Sequence, residues 1–313
     1  MNKGVSILVC SYNASLSDIL TTINSAIKQK GIETEIIFCD DCSKNNYFNE
    51  IFDYCKKVGY RNILFNFNER NVGTVRNLLG GDRLAKYDYV KAIGAGDAFY
   101  DENTCSKVID YMIDNKLDYC FTDAVYFYGD QVFNVRQPVI TDIYDIKTLD
   151  KDRIIKNLAI NADYILGASI FVKRDVFSNY LEQFAGKVIY EEDVLLIAGV
   201  CDGRKIAHYP HYGVYYEYGA GISTNVNSDF RKLLVKDTMN LFEYLAKSSG
   251  NEYCKKGYEM RLKGMGGYEK VSIFKKLLFA RGRFDFITKS RLVKKTPKEK
   301  PNFAFYKACK SEE

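Results

Sequence analysis

The chain has 313 residues, of which 47% are hydrophobic and 27% charged, and its formal net charge is +5. That is a globular composition, long enough for one large α/β domain with an appendage or for two domains. No run approaches the roughly 18 apolar residues of a membrane span, and the start lacks the charged-then-apolar pattern of a signal peptide, so a cytoplasmic location is expected.

Val5 to Cys10 is a β-branched apolar run that reads as a buried strand, closed by the polar turn Ser11-Tyr12-Asn13. Leu16, Ile19, Leu20, Ile23 and Ile27 then recur at helical spacing, with Ser15 or Ser17 as cap and Gly31 as stop. Glu35 to Cys39 is a second strand ending in Asp40-Asp41-Cys42-Ser43. A helix carrying Phe48, Ile51, Phe52 and Cys55 stops at Gly59, and Asn62 to Asn66 is a third strand. After a polar loop through Gly73, Thr74 to Ala85 reads as a helix and Tyr89 to Ile93 as a fourth strand, which ends in Gly94-Ala95-Gly96-Asp97. Four short-spaced alternations of strand and helix predict right-handed crossovers and a mainly parallel sheet.

The simple alternation then lapses. A helix is predicted over 102–115, a strand over 117–121, a hairpin over 126–135 around Gly129-Asp130, and a polar excursion over 136–151. Leu166 to Val172 reads as a strand, Arg174 to Phe184 as a helix, and 194–200 as a helix preceded by Glu191-Glu192-Asp193. Strands are predicted at 205–209 and 214–218, with helical and increasingly basic patterns after Ser228. The nine cysteines are scattered and odd in number, which fits reduced thiols. Cys39 and Cys42 form a C-x-x-C, but no second cysteine or histidine pair accompanies it to make a zinc site.

Tyr12-Asn13, Asp40-Asp41, Arg76-Asn77 and Asp97 all fall at or near predicted strand ends, and in a parallel sheet those ends share one edge. An aromatic ring can stack on a base, Asp40 can accept a hydrogen bond from base or ribose, and Arg76 can meet phosphate with a bidentate fork. One carboxylate, Asp97, is a poor cage for calcium but suits Mg²⁺ or Mn²⁺ held largely by substrate phosphates. Taken alone, the Gly94–Asp97 stretch reads equally as an ordinary turn capped by Asp97. A dinucleotide-binding enzyme fails on detail: Ser11-Tyr12-Asn13 stands where its glycine fingerprint belongs, and Phe99 occupies the third glycine place after Gly94 and Gly96.

The strand Ser6-Ile7-Leu8-Val9-Cys10-Ser11-Tyr12-Asn13 is similar to the opening of family-2 inverting glycosyltransferases. Glu35 through Ser43 resembles their second strand with its Asp-Asp-x-Ser end, and Asn71-Val72-Gly73-Thr74-Val75-Arg76-Asn77 their glycine-plus-Arg-Asn helix start. Gly94-Ala95-Gly96-Asp97 falls where the family carries Asp-x-Asp, with glycine at both aspartate positions and only the following aspartate retained. The resemblance spans about residues 4–223, in order. It implies a single Rossmann-like α/β domain of the A type with a mainly parallel mixed sheet over 1–225, its nucleotide-binding half at 1–100 and acceptor half at 101–225. A helical basic extension over 226–313 would follow.

By position, the resemblance implies that Ser11, Tyr12, Asn13, Asp40, Asp41 and Arg76 hold the nucleotide, that Asp97 ligates Mn²⁺ or Mg²⁺ on the diphosphate, and that Asp193 is the catalytic base. Gly96, Gly167, Ala168, Glu192, His211 and Ser223 would lie near donor or acceptor. The partners implied are a nucleotide-sugar donor, UDP-linked in expectation, and a saccharide or lipid-linked saccharide acceptor of surface polysaccharide synthesis. The pared-down metal motif leaves a non-catalytic nucleotide-sugar-binding module as the alternative. The aromatic run Tyr209, Tyr212, Tyr215, Tyr216 and Tyr218 reads as core packing or as a sugar platform. The basic, apolar stretch 274–284 reads as a surface lying on an anionic membrane, a helix docked on the domain, or a homodimer contact. Residues 294–313 are expected to fray. The basic balance comes without a nucleic-acid-binding motif, so no nucleic acid is expected as partner.

Overall fold

The structure, a computed structural model, describes residues 3–133, 137–138, 151–189, 195–218, 229–264 and 300–310. Its first half is the expected alternation: β1 (Gly4–Ser11), α1 (Leu16–Ile27), β2 (Glu33–Asp40), α2 (Phe48–Lys57), β3 (Ile63–Phe67), α3 (Thr74–Asp82) and β4 (Tyr89–Gly94). Strands β1 to β4 pair in parallel in the order β3-β2-β1-β4, with Ser11 opposite Asp40 and Cys10 opposite Gly94. Helix α1 starts where Ser15 accepts a bond from the Asp18 amide at 3.1 Å, supplying a partner to one of the first-turn amides that no helical carbonyl can reach.

The second half is mixed. A two-residue strand β5 (Ala98–Phe99) follows the Asp97 turn; then come α4 (Thr104–Asp114), β6 (Tyr119–Tyr128) and β7 (Gln131–Phe133), the last two forming the expected hairpin. Next are α5 (Lys151–Ala159), a 3₁₀ turn at Gly167–Ser169, β8 (Ile170–Lys173), α6 (Arg174–Phe184), α7 (Leu196–Cys201) and β9 (Ile206–Glu217). The sheet continues from β4 through β8, β6 and β9 to β5; β8 runs antiparallel, whereas β6 and β9 form a long parallel ladder. Two strands predicted at 205–209 and 214–218 are one element, β9, whose pairing with β6 shifts register around Asp123. The irregularity falls at Pro210, which has no amide hydrogen for a ladder bond.

Two apolar clusters sandwich the sheet. One joins Ile7, Val9, Ile19, Ile23 and Ile36 to Phe99, Val108 and Phe171; the other joins Leu8, Ile37, Val75 and Leu78 to Ile155, Phe184, Leu196 and Ile206. Helices α8 (Asp229–Ser248) and α9 (Glu252–Leu262) belong to the second cluster, through Leu241, Phe242, Leu245 and Cys254. Each fully buried Leu or Phe contributes about 2 kcal/mol, so this part of the C-terminal extension is integral to the domain core. Residues 304–309, expected to fray, instead form helix α10 (Ala304–Cys309). Its buried Tyr306 packs with Phe303 on Tyr215 and Phe127, and Asn24 donates to the Cys309 carbonyl at 3.0 Å.

The sulfurs of Cys201, ending α7, and Cys254, within α9, lie 3.4 Å apart as free thiols. Diamide or oxidised glutathione is expected to join them, seen as the loss of two alkylatable thiols and faster migration on a non-reducing gel. Cys254→Ser should abolish the shift; persistence of it would mean another pair reacts.

Candidate active site

The carboxyl ends of β2, β1 and β4 lie side by side, so Asp40, Ser11 and the Gly94–Asp97 turn form one rim about 10 Å across, two strand spacings wide. Ser11 is buried and its carbonyl accepts from the Asp41 amide at 3.0 Å, which locks the two loops together. Tyr12 projects from that junction, 43% exposed, with ring surface available to stack on a base. Asn13 takes a left-handed backbone conformation (φ 55°) and ties the first loop to the second: its amide donates to Ser43 Oγ at 2.8 Å and its side chain accepts from the Lys44 amide at 3.0 Å. Asp40 is buried, with both carboxylate oxygens on Ser43: Oδ2 accepts from the amide at 2.9 Å and Oδ1 from the hydroxyl. Each oxygen keeps a second lone pair for a ligand donor.

Asp41, its neighbour, has a different task. Its oxygens accept from the amides of Val72 at 2.8 Å and Gly73 at 2.9 Å and from Asn68 Nδ2 at 3.1 Å. It therefore shapes the loop entering α3 and turns away from the rim. Gly73 has φ +83°, and a Cβ there would lie 2.2 Å from Ile189 Cγ2 and 2.6 Å from the Ile189 carbonyl oxygen. That close approach is used: the Val75 amide donates to the Ile189 carbonyl at 3.0 Å. From the other side, the buried Asp237 of α8 accepts from the Ile189 amide at 2.9 Å, and Asn240 donates to the Lys187 carbonyl at 2.9 Å. Arg76, exposed on the first turn of α3, has its guanidinium against Gly186; a Cβ at that glycine would lie 3.0 Å from Nη2. Ile189 is thus pinned beside the α3 start, one residue before the chain passes to Tyr190, Glu191, Glu192 and Asp193. Those residues and Ser223 lie outside the described ones, as do the basic stretch at 274–284 and most of 136–151.

The Asp97 turn is held from α1. Thr22 Oγ1 accepts from the Gly96 amide at 2.9 Å and donates to the Asp97 carbonyl at 2.6 Å, while the Ala95 amide donates to the Cys10 carbonyl at 2.9 Å. Gly96 has φ +104°, a conformation side-chain-bearing residues rarely adopt, so an aspartate there would be strained. Asp97 is half-buried. Desolvation pushes its pKa up to about 7, against the pull of Lys91, with Glu217 adding to the rise and a bond to the Gly94 backbone opposing it. Lys91 is fully buried in β4, which lowers its pKa to about 8 although Asp97 favours its charge; its Nζ donates to the Ala92 carbonyl and stands 5.3 Å from the Phe171 ring centre. A buried cation below the rim was not foreseen from the sequence, where Lys91 interrupts an apolar strand and was the available signal.

Gly167 and Ala168 open the 3₁₀ turn into β8, where Thr122 Oγ1 donates to the Ser169 carbonyl at 3.5 Å. His211 is exposed on β9 with its ring 4.7 Å from Tyr209, which in turn packs on Tyr111 of α4. The other histidine, His208, has its side chain 7% exposed, with Nε2 3.3 Å from Asp123 Oδ1 and its ring on Phe121. The Tyr run divides: Tyr212 and Tyr215 are core, whereas Tyr216 is half-covered and Tyr218 is 47% exposed. No three His, Cys, Asp or Glu side chains converge among the described residues.

The sequence profile described as "Glycosyl transferase family 2" matches residues 6–181, the stretch that builds this rim. The chain belongs to glycosyl transferase family 2. Among solved structures, residues 1–349 of S. aureus TarS in complex with UDP-GlcNAc superpose with a TM-score of 0.59 at 16% identity, covering 92% of this chain and 81% of that one. The same TarS fragment in complex with UDP gives 0.51 at 14% identity over 92% and 89%, and longer TarS gives 0.53 at 15% over 92% and 54%. At such identity these likenesses speak for the shared fold. No curated protein matches the chain. Among the described residues of this family-2 glycosyltransferase, no helix is long and apolar enough to cross a membrane.

Proposed function

We propose that the chain is an inverting transferase that moves a sugar from a UDP-sugar to a saccharide or lipid-linked saccharide of a surface polysaccharide. The observation that carries this is one rim presenting Tyr12, Asp40 and Asp97 in line, with the chain that leads to Asp193 pinned to its α3 wall. TarS, which shares the fold, was solved with UDP-GlcNAc and with UDP, which supports the choice of nucleotide. Tyr12 would stack on uracil, Asp40 would accept from base or ribose, and Arg76 would meet phosphate.

In the proposed reaction the acceptor hydroxyl attacks the anomeric carbon as the nucleoside diphosphate leaves from the opposite face. Asp193 takes the hydroxyl proton, and a single displacement inverts the centre, so one base suffices. One carboxylate fits a cation that arrives with the diphosphate: Asp97 would hold Mn²⁺ or Mg²⁺, which would neutralise charge on the leaving group. Thr22 and the Gly96 turn fix the Asp97 backbone for that contact. The half-buried carboxyl, whose pKa desolvation raises to about 7, would ionise more readily in the presence of a cation.

Calorimetry with UDP, with and without Mn²⁺, tests the reading; absence of UDP binding in both conditions would sink it. A pH series sharpens it. Ligation needs the ionised carboxylate, so the Mn²⁺-dependent gain in UDP affinity should rise between pH 6 and about 7 and level off above, and Asp97→Asn should remove it. Stability follows the opposite sign. A carboxyl whose folded pKa is raised destabilises the metal-free protein above about pH 7 and ceases to do so as the pH falls toward the ordinary carboxylate range.

A further inference from the structure

Tyr126 of β6 is 2% exposed, and its hydroxyl has no hydrogen-bond partner among the described residues. Buried tyrosine hydroxyls ordinarily find one, because an unpaired donor costs the desolvation of the group. The strand register gives its surroundings. Ala98 pairs with Tyr215 and Tyr215 with Val125; these three side chains share one face and pack with Tyr306 of α10. Side chains alternate along strands, so the next pair in register, Tyr216 and Tyr126, lies on the opposite face, and Asp97 directly precedes Ala98 at the start of β5. The Tyr126 ring contacts Tyr216 edge-on at 5.6 Å and Tyr218 at 6.4 Å. Burial, then Tyr216, Asp123, Tyr218 and Asp97, all push the Tyr126 pKa upward, so the hydroxyl stays protonated and able to donate.

Ala98 and Val125, the chain neighbours of Asp97 and Tyr126, stand two strand spacings apart on either side of Tyr215, about 10 Å. That is the span from a diphosphate at Asp97 across one pyranose ring. We propose that the Tyr126 hydroxyl recognises a hydroxyl of the transferred sugar, whose ring packs against Tyr216. This rests on the nucleotide-sugar reading above and deepens it, because it assigns the sugar subsite to β6 and β9. An aromatic face with one fixed donor beside it is the surface a sugar ring uses: apolar C–H groups below, directional hydroxyls at the rim. In the ligand-free chain the hydroxyl is shielded from water, so engagement requires the more exposed Tyr216 or Tyr218 ring to swing aside.

Tyr126→Phe deletes only the unpaired oxygen and separates a binding role from a packing one. Affinities of the full chain for UDP and for UDP-glucose, UDP-galactose, UDP-GlcNAc and UDP-GalNAc would be measured with Mn²⁺ before and after the substitution. The expected result has three parts: UDP affinity unchanged, affinity for the preferred UDP-sugar reduced about threefold to tenfold, and Tm raised by about 2 °C because a buried unpaired group is gone. A raised Tm with UDP and UDP-sugar affinities both unchanged overturns the proposal, as does a wild-type chain that binds every UDP-sugar no differently from UDP. Neither result touches the nucleotide reading, which fails only if UDP itself does not bind.

Discussion

Asp193→Asn is expected to slow sugar transfer by about 10²–10⁴-fold, the usual contribution of a positioned general base, while UDP affinity stays within a factor of two or so. The amide keeps shape and hydrogen-bonding capacity but cannot take the acceptor proton. Glu192→Gln is the control: if it abolished transfer and Asp193→Asn did not, the base would be one residue earlier. Ile189, four residues before Asp193, is held between the Val75 amide and Asp237. Release of UDP from a UDP-sugar in the presence of acceptor, measured against binding of UDP alone, separates chemistry from binding.

Gly73→Ala should show the largest effect of a single methyl group. Its backbone (φ 83°, ψ 161°) belongs to a region essentially reserved for glycine, a strain of about 1–3 kcal/mol for any other residue. The new Cβ would also lie 2.6 Å from the Ile189 carbonyl oxygen, which is backbone and cannot swing away. Together these predict a loss of about 3 kcal/mol or more in stability. Transfer should fall further than stability accounts for, because the Ile189 contact that must yield lies four residues before the proposed base, Asp193. Urea unfolding and transfer rate, measured in parallel, check this. Ile189→Ala in the same chain would relieve the clash with Cγ2 at 2.2 Å but not the one with the carbonyl, so it should restore stability only in part.

The first half of the fold was legible because its periodicities are clean. The β-branched runs at 5–10 and 35–39 and the helical spacing from Leu16 place β1, β2 and α1, and α6 runs over the expected 174–184. Helix α5 went unread: only Ile154, Ile155 and Leu158 mark it, directly after a polar stretch. The docking of α10 could not be foreseen either, because it depends on where Tyr215 and Phe127 lie in space, not on local propensity. The site shows the same division. Asp40 and Asp97 could be read as strand-end residues, but adjacent Asp41 could not be told apart from Asp40 in the sequence. Its amide partners lie 31 and 32 residues away, and only the folded loop makes it a brace. The division of the Tyr run between core and open face likewise follows from strand alternation, which the register shift at Asp123 makes unreadable from spacing alone.

The brace between Asp237 and Ile189 bears on what counts as the catalytic unit. The family profile matches through residue 181, yet the carboxylate that holds Ile189 comes from a helix some fifty residues beyond that limit. Homology and mechanics therefore draw different borders. A change in that buttressing helix would reach the α3 start through Ile189 without altering any residue of the rim.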